Sequence, residues 1–194
     1  MSLEIPEHYK QYVILGIDPG MKTGVGALTI DYATNTLLKT EAYTIKVDRL
    51  YDRSGVEEDV HGERKVNLIN LQHAVTHYLE QYHPSEVAIE APFYNRLMPM
   101  AYGSLMEVVT MVISSVTAFD TNIRITMYPP MSVKKLIGAK AVARDTEKGK
   151  ILVKMAISRI PEIMNTLQHD LDELSEHAID GVAIAYTLFK SKGI

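Results

Sequence analysis

The stretch VILGIDPGMKTGVGAL, residues 13–28, decides how the first part of the chain folds. An apolar run leads to Asp18, Pro19-Gly20 is a strong turn signal, and small and β-branched residues resume at Thr23. This pattern predicts a β-hairpin whose buried first strand carries a carboxylate at its rim. Because an unpaired buried carboxylate is costly, we expect Asp18 to have a partner such as a cation.

Composition indicates one globular domain over residues 1–194. The chain is 46% hydrophobic and 23% charged, which suits a protein with a sizeable core. It contains no cysteine, which excludes disulfides and thiolate metal sites. The opening residues lack the charged and apolar regions of a signal peptide. We see no apolar run of the roughly 18 residues that a membrane span needs. We therefore expect a soluble, cytoplasmic protein without membrane contact.

The net charge of −4 argues against bulk nucleic-acid binding, but the charges are unevenly distributed. Residues 130–160 hold eight Lys or Arg against two acids, whereas residues 161–180 hold six acids and no Lys or Arg. A basic block beside an acidic block suits a protein that binds phosphates with one and cations with the other. Two solvated helix faces would give the same pattern.

The periodicity of apolar residues predicts the remaining elements. Two strands over 23–31 and 36–47 follow the first, at 11–18. The further predicted elements are, in order, a charged and mobile loop at 48–64, a helix ending near Tyr82, a buried strand ending at Glu90, a helix over 98–119, a strand within 122–130, and helices over 131–137, 146–160 and 172–191. Three hairpin-linked strands pair antiparallel, and strands separated by helices add in parallel through right-handed crossovers. The prediction is an α/β fold, a mixed five-stranded sheet with helices on both faces, with Asp18 and Glu90 at the ends of strands that can lie side by side.

The last predicted helix adds two more candidate ligands. His177 and Asp180 are three residues apart and therefore share a face, beside the apolar stripe that continues at Ile184. A buried histidine alone is more often a packing residue than a ligand, but aspartate is almost never buried unpaired. Together with Asp18 and Glu90 they form the oxygen-rich set that a hard divalent cation prefers. Two such ions can activate water and stabilise the leaving oxygen in phosphodiester cleavage.

Three segments, GIDPGMKTGVGAL, VAIEAPFYNR and HAIDGVAIAYT, resemble in order the acidic motifs of the RuvC family of Holliday-junction resolvases, within the RNase H-like fold. The resemblance extends from about residue 12 to residue 190. Sugar kinases and actin-like ATPases open with a similar hairpin, but they need a second, duplicated domain. By resemblance, Asp18, Glu90 and Asp180 are catalytic ligands of Mg²⁺ or Mn²⁺, and His177 lies where family members carry Asp or His. If His177 is a packing residue instead, Glu173 or Glu176 is the alternative metal ligand.

The resemblance also implies a homodimer that cuts four-way DNA junctions by paired nicks. The loop at 48–64 looks longer than in the bacterial members of the family. The residues of the basic loop GAKAVARD, between the predicted helices at 131–137 and 146–160, also differ from the bacterial pattern, and both departures fit a phage-encoded or otherwise divergent member. Two alternatives stay open. One is a nuclease of the same fold that acts on other branched DNA or on RNA. The other is a non-catalytic junction-binding protein, which the presence of all the acidic positions disfavours.

Other residues are candidates for binding DNA. Phe93 and Tyr94, beside Arg96, either stack on an unpaired base or cap the core. The candidate phosphate-binding cations are Lys134, Lys135, Lys140, Arg144, Lys148 and Lys150. The helix over 98–119 carries more apolar residues than one face needs, so it is either wholly buried or part of a dimer interface, and the resemblance favours the interface.

Two further patterns carry less weight. His73 and His77 are spaced as zinc ligands on a helix, but no third ligand is evident, which favours surface histidines. Three glycines in the first hairpin, Gly20, Gly24 and Gly26, resemble a phosphate-binding loop only superficially because no GK[ST] follows them.

Overall fold

The computed structural model describes residues 10–46, 62–94, 96, 99–139 and 147–192. Within them the strands are β1 (Gln11–Asp18), β2 (Lys22–Asp31), β3 (Leu37–Lys46), β4 (Glu86–Glu90) and β5 (Arg124–Tyr128). The helices are α1 (Glu63–Tyr82), α2 (Pro99–Phe119), α3 (Pro130–Leu136), α4 (Glu147–Ile157), α5 (Pro161–Met164) and α6 (Glu176–Ser191). Most of the predicted loop at 48–64 lies outside the described residues, and its last two residues belong to α1 rather than to a loop.

The five strands form one mixed sheet in the order β3-β2-β1-β4-β5. The pairs β1–β2 and β2–β3 are antiparallel, whereas β1–β4 and β4–β5 are parallel, as the sequence predicted. Ile17 of β1 pairs with Ile89 of β4, so the next residues, Asp18 and Glu90, end neighbouring strands at the same edge of the sheet. That edge carries the candidate site.

Alternation of side chains along the strands divides the core between the two faces of the sheet. On one face, Ile14 and Leu28 pack with α6 and with residues of α3, α4 and α5. On the other face, Leu15 and Ile17 pack with α1 and α2. Helices therefore cover both faces, and α6 is the helix that meets the β1–β2 hairpin directly.

Helix α6 begins later than its sequence pattern predicts. The prediction started the helix at residue 172, whereas Ser175 is the N-cap and its Oγ accepts a hydrogen bond from the Ala178 amide at 3.2 Å. Before it, Asp170 accepts from the amides of Asp172 and Glu173 and closes a turn. A serine that satisfies a free amide of the first turn fixes a helix start more firmly than helical periodicity does. This start places Glu176, His177 and Asp180 in the first two turns.

Helix α2 is buried along one stripe only. Val112 and Val116 are fully buried against α1, whereas Met100 is 85% exposed. The wholly buried alternative is therefore wrong for this helix. By length and composition alone, Met100–Phe119 is also apolar enough to span a membrane, with a mean hydropathy of 1.4, contrary to the sequence expectation. Core helices of soluble proteins meet the same criterion, and the ion pair between Arg64 of α1 and Glu107 of α2 places the helix in the fold.

Candidate metal and DNA site

A cavity of about 230 Å³ opens at the edge of the sheet where β1 and β4 end. Five side chains of the types that bind metal ions line it: Asp18, Glu90, Glu176, His177 and Asp180. The structure thus brings together the four predicted ligands and one of the two reserve carboxylates. Glu173, the other reserve residue, is exposed in the turn before α6 and does not line the cavity.

Asp18 and His177 are directly hydrogen-bonded across the cavity. The Oδ2 atom of Asp18 lies 3.0 Å from Nδ1 of His177, and the two side chains are 18% and 31% exposed. The hydrogen bond to Asp18 raises the pKa of the His177 imidazole above its ordinary value of 6.5, against the opposing effect of burial. Charges on Glu176 and Asp180 act in the same direction as Asp18. The cavity is therefore an environment that favours positive charge.

Glycines in the hairpin allow α6 to approach this closely. A Cβ atom at Gly24 would lie 1.7 Å from the carbonyl oxygen of His177, and one at Gly26 would lie 2.4 Å from the Val182 amide nitrogen. Real Cβ atoms do not approach backbone so closely, so only glycine permits α6 to lie against β2 here. The sequence pattern marked these glycines as an unconvincing phosphate loop, and their role is instead to place His177 beside Asp18.

The donor set fits a hard divalent cation. Carboxylate oxygens predominate, and a single imidazole joins them, a combination suited to Mg²⁺ or Mn²⁺. Among the described residues, no three such side chains lie close enough together to hold a metal ion as they stand. The candidate ligands therefore line one cavity without forming a preformed metal site.

Two of the predicted DNA-binding residues border the same cavity. Phe93 is 52% exposed and lines it, and so does Lys134, in the last turn of α3. Tyr94 is 61% exposed and packs edge-on against Tyr102 at 5.8 Å between ring centroids. Arg96 is exposed. Neither aromatic ring is buried in the core, and Phe93 is the one that borders the cavity.

The structure places the other predicted phosphate-binding residues and the histidine pair away from the cavity or gives less information on them. Lys135 is exposed on α3 but does not line the cavity. Lys148 and Lys150 lie on α4, and Lys140 and Arg144 lie outside the described residues. His73 and His77 are exposed on α1, away from the cavity, and the described part of the chain supplies no cluster of three metal ligands around them.

A five-stranded sheet of this order, with acidic residues ending β1 and β4 and with His177 and Asp180 near the start of the last helix, is the RNase H-like fold. Comparison with known proteins identifies the family within this fold. Residues 14–188 match the family described as "Crossover junction endodeoxyribonuclease RuvC". The chain belongs to this family.

Individual relatives agree with that assignment. The crossover junction endodeoxyribonuclease RuvC of Bacteroides fragilis is 25% identical over 186 residues, which covers 95% of this chain and 85% of the relative. Among solved structures, Thermus thermophilus RuvC in complex with a Holliday junction substrate has a TM-score of 0.58 at 22% identity, covering 93% of this chain and 95% of that one. The fowlpox virus resolvase with Holliday junction DNA has a TM-score of 0.55 at 14% identity, covering 94% and 99%. These structures share the fold, and members of the family are divalent-metal-dependent nucleases.

Proposed function

We propose that this chain is a Mg²⁺- or Mn²⁺-dependent endonuclease that resolves four-way DNA junctions, in recombination and repair, by paired nicks. The observation that carries the proposal is the convergence of Asp18, Glu90, His177 and Asp180 on one cavity that also contains Lys134 and Phe93. Membership of the RuvC family supports the junction-resolving activity. We place the whole chain, as one nuclease domain, in the cytoplasm of its host cell.

The site residues have different roles in the proposed hydrolysis. Asp18, Glu90, His177 and Asp180 would hold the metal, which when bound supplies an activated water and charge stabilisation at the scissile phosphate. A two-ion form of this chemistry would draw its ligands from the same four residues. Lys134 lies at the cavity wall, where its ammonium can contact a phosphate of the bound strand. Phe93 offers an exposed ring on which a base beside the crossover can stack.

Paired nicks need two active sites, and we propose that they come from a homodimer. The first half of α2 is exposed in the single chain, and Met100 at its start is the most exposed large apolar side chain among the described residues. Ala101 and Gly103 on the same segment are small and exposed, so another helix can approach closely. A two-fold interface here would match the two-fold arrangement of strands in a four-way junction. Sedimentation of the wild-type protein should show a dimer that Met100→Lys weakens.

One assay tests the proposed activity. Labelled four-way junction, fork, flap and linear duplex, each as DNA and as RNA, are incubated with Mg²⁺, Mn²⁺ or EDTA. We expect metal-dependent cleavage of the DNA junction at symmetrical positions in opposite strands and little cutting of duplex. Preferential cutting of forks, flaps or RNA would assign the chain to the nearest alternative. Tight junction binding without cleavage in either metal would overturn the enzymatic proposal.

A further inference from the structure

The imidazole of His177 stands between two carboxylates of different origin. On one side, Nδ1 lies 3.0 Å from Oδ2 of Asp18, which ends β1. On the other side, Nε2 lies 3.6 Å from Oε1 of Glu176, its neighbour in the first turn of α6. Both ring nitrogens therefore face a carboxylate, and both carboxylates border the cavity.

A neutral imidazole has one N–H and one lone pair, so its two nitrogens cannot do the same work. The nitrogen that binds a metal ion must present its lone pair, and the proton then sits on the other nitrogen. Metal-bound histidines nearly always donate that second N–H to a carboxylate or carbonyl, which fixes the tautomer and the plane of the ring. Glu176 is placed to accept such a hydrogen bond after a shift of a few tenths of an ångström.

We propose that Glu176 is a positioning residue that accepts the Nε2 proton of His177 and so presents the Nδ1 lone pair, beside Asp18, to the divalent cation. This inference rests on the proposed function in taking the cavity as a metal site. It assigns the two carboxylates that flank the ring different tasks. Asp18 would hold the ion together with His177, and Glu176 would fix the tautomer and the orientation of the ring.

The geometry favours Nδ1 as the metal-binding nitrogen. Asp18 is the ligand closest to Glu90 in the sheet, because β1 and β4 are paired neighbours. In the structure Nδ1 donates a hydrogen bond to Oδ2 of Asp18 at 3.0 Å, so a cation held by Asp18 would replace the proton on Nδ1. Nε2 faces the residue before it on α6 instead.

A double-mutant cycle on metal affinity separates positioning from direct ligation. Mg²⁺ and Mn²⁺ dissociation constants are measured by calorimetry without DNA for wild type, Glu176→Ala, His177→Ala and the double variant. We expect Glu176→Ala to weaken binding by about 10–100-fold. In the His177→Ala background the same change should have almost no further effect, because the ring on which Glu176 acts is gone. An equal loss in both backgrounds would overturn the proposal and make Glu176 a ligand in its own right.

Nitrogen spectroscopy and two controls complete the test. In ¹⁵N NMR spectra of protein with labelled histidine, saturating Mg²⁺ should shift the Nδ1 resonance of His177 and show Nδ1 as the unprotonated nitrogen. The proton should remain on Nε2. A shift on Nε2 instead would contradict the assignment. Glu176→Gln, which keeps an acceptor oxygen, should recover part of the affinity. Glu173→Ala removes an exposed carboxylate three residues earlier and should change nothing, and melting temperatures identify any variant that has lost its helix start.

Failure of this inference is distinguishable from failure of the proposed function. If Glu176→Ala leaves metal affinity unchanged while wild type still cuts junctions, Glu176 has no positioning role and the nuclease stands. If the coupling between Glu176 and His177 is present but no branched DNA is cut, the metal site is as proposed and the substrate is wrong. A wild-type protein that binds neither ion would overturn both.

Discussion

Nδ1 of His177 lies 3.0 Å from Oδ2 of Asp18, although 159 positions separate the two residues in the chain. One belongs to the last residue of β1 and the other to the first turn of α6. The contact exists because the glycines of β2 let the helix lie directly on the hairpin. The same relationship determines how each residue should respond to substitution.

Removing the charge of Asp18 should abolish cleavage without abolishing binding. Asp18→Asn keeps the size of the side chain and can still hydrogen-bond to His177, so the fold should persist. The amide is a much poorer ligand for a hard cation than the carboxylate. Loss of a negative charge beside the phosphate should leave junction affinity unchanged or higher. Cleavage rates and gel-shift affinities in Mg²⁺ and in EDTA measure both effects, and robust cutting by Asp18→Asn would remove Asp18 from the site.

Substitutions of His177 should show whether this residue is a metal ligand or only a packing residue. His177→Asp gives an all-oxygen site, so it should retain activity and shift the metal preference from Mn²⁺ toward Mg²⁺. It also brings a second carboxylate next to Asp18, so its melting temperature should fall in EDTA and recover with Mg²⁺. His177→Ala should lose far more activity and gain little stability from the metal. The opposite order, with Ala tolerated and Asp inactive, would show that His177 only packs.

The pKa of His177 predicts how the metal-free protein responds to pH. Because pairing with Asp18 raises this pKa above 6.5, protonated His177 stabilises the folded state. The contribution is fully present below pH 6.5 and disappears as the pH rises through the higher folded-state pKa. In EDTA, wild type should therefore lose melting temperature over this interval relative to His177→Ala. If the melting temperatures of the two proteins change with pH in parallel, the pair of His177 and Asp18 does not contribute to the stability of the folded state.

The same proton competes with the metal. An imidazole must be deprotonated to bind a cation, so metal affinity should fall toward acid pH. With subsaturating Mg²⁺, the acid limb of cleavage should have its midpoint above pH 6.5, and added metal should move it lower. His177→Asp should lack this limb in the neutral range. A midpoint that is independent of metal concentration would point to another titrating group.

Much of the fold and most of the candidate metal ligands follow from local patterns in the amino-acid sequence. The apolar run before Asp18 and the short strand before Glu90 each end in a carboxylate, and alternating helices dictate that such strands pair in parallel. The four predicted ligands indeed line one cavity. These features are predictable because each is specified within a few residues of sequence, by hydrophobic periodicity and by the cost of burying a charge.

The features that were missed depend on contacts between distant segments. Helical periodicity extended α6 back to residue 172, whereas the Ser175 cap makes the helix begin at 176. The glycines of β2 have no local signature of a helix lying across them, since that helix is about 150 residues away. Glu176 was only a reserve residue because nothing in one sequence shows which nitrogen of His177 it faces. The short helix α5 was not predicted at all, because four residues carry too little periodicity.

The close approach of β2 and α6 predicts a distinctive effect for a small substitution. Gly24→Ala would place a methyl group against the His177 carbonyl, so the start of α6 must move. Overpacking of this kind costs about 1–3 kcal/mol, and the shift should separate His177 from Asp18. We expect a lower melting temperature and a cleavage defect larger than the stability loss explains. Gly20→Ala is the matched control, because a Cβ atom there would make only an ordinary contact at 3.4 Å, and it should leave both properties nearly unchanged.

Lys134 should bind one phosphate of the DNA backbone, and the salt dependence of binding can count such interactions. The logarithm of the binding constant falls linearly with the logarithm of salt concentration, and the slope decreases by about one unit for each bound phosphate that a substitution releases. Lys134→Ala should therefore weaken junction binding and flatten the slope by about that amount. Lys39→Ala is the control of equal charge, because Lys39 pairs with Glu41 on the outermost strand of the sheet, away from the cavity. Gel-shift titrations of the Asp18→Asn protein at several salt concentrations would measure both slopes without cleavage. If Lys134→Ala and Lys39→Ala give the same slope as the parent, Lys134 does not touch the backbone, and the DNA enters the cavity from another side.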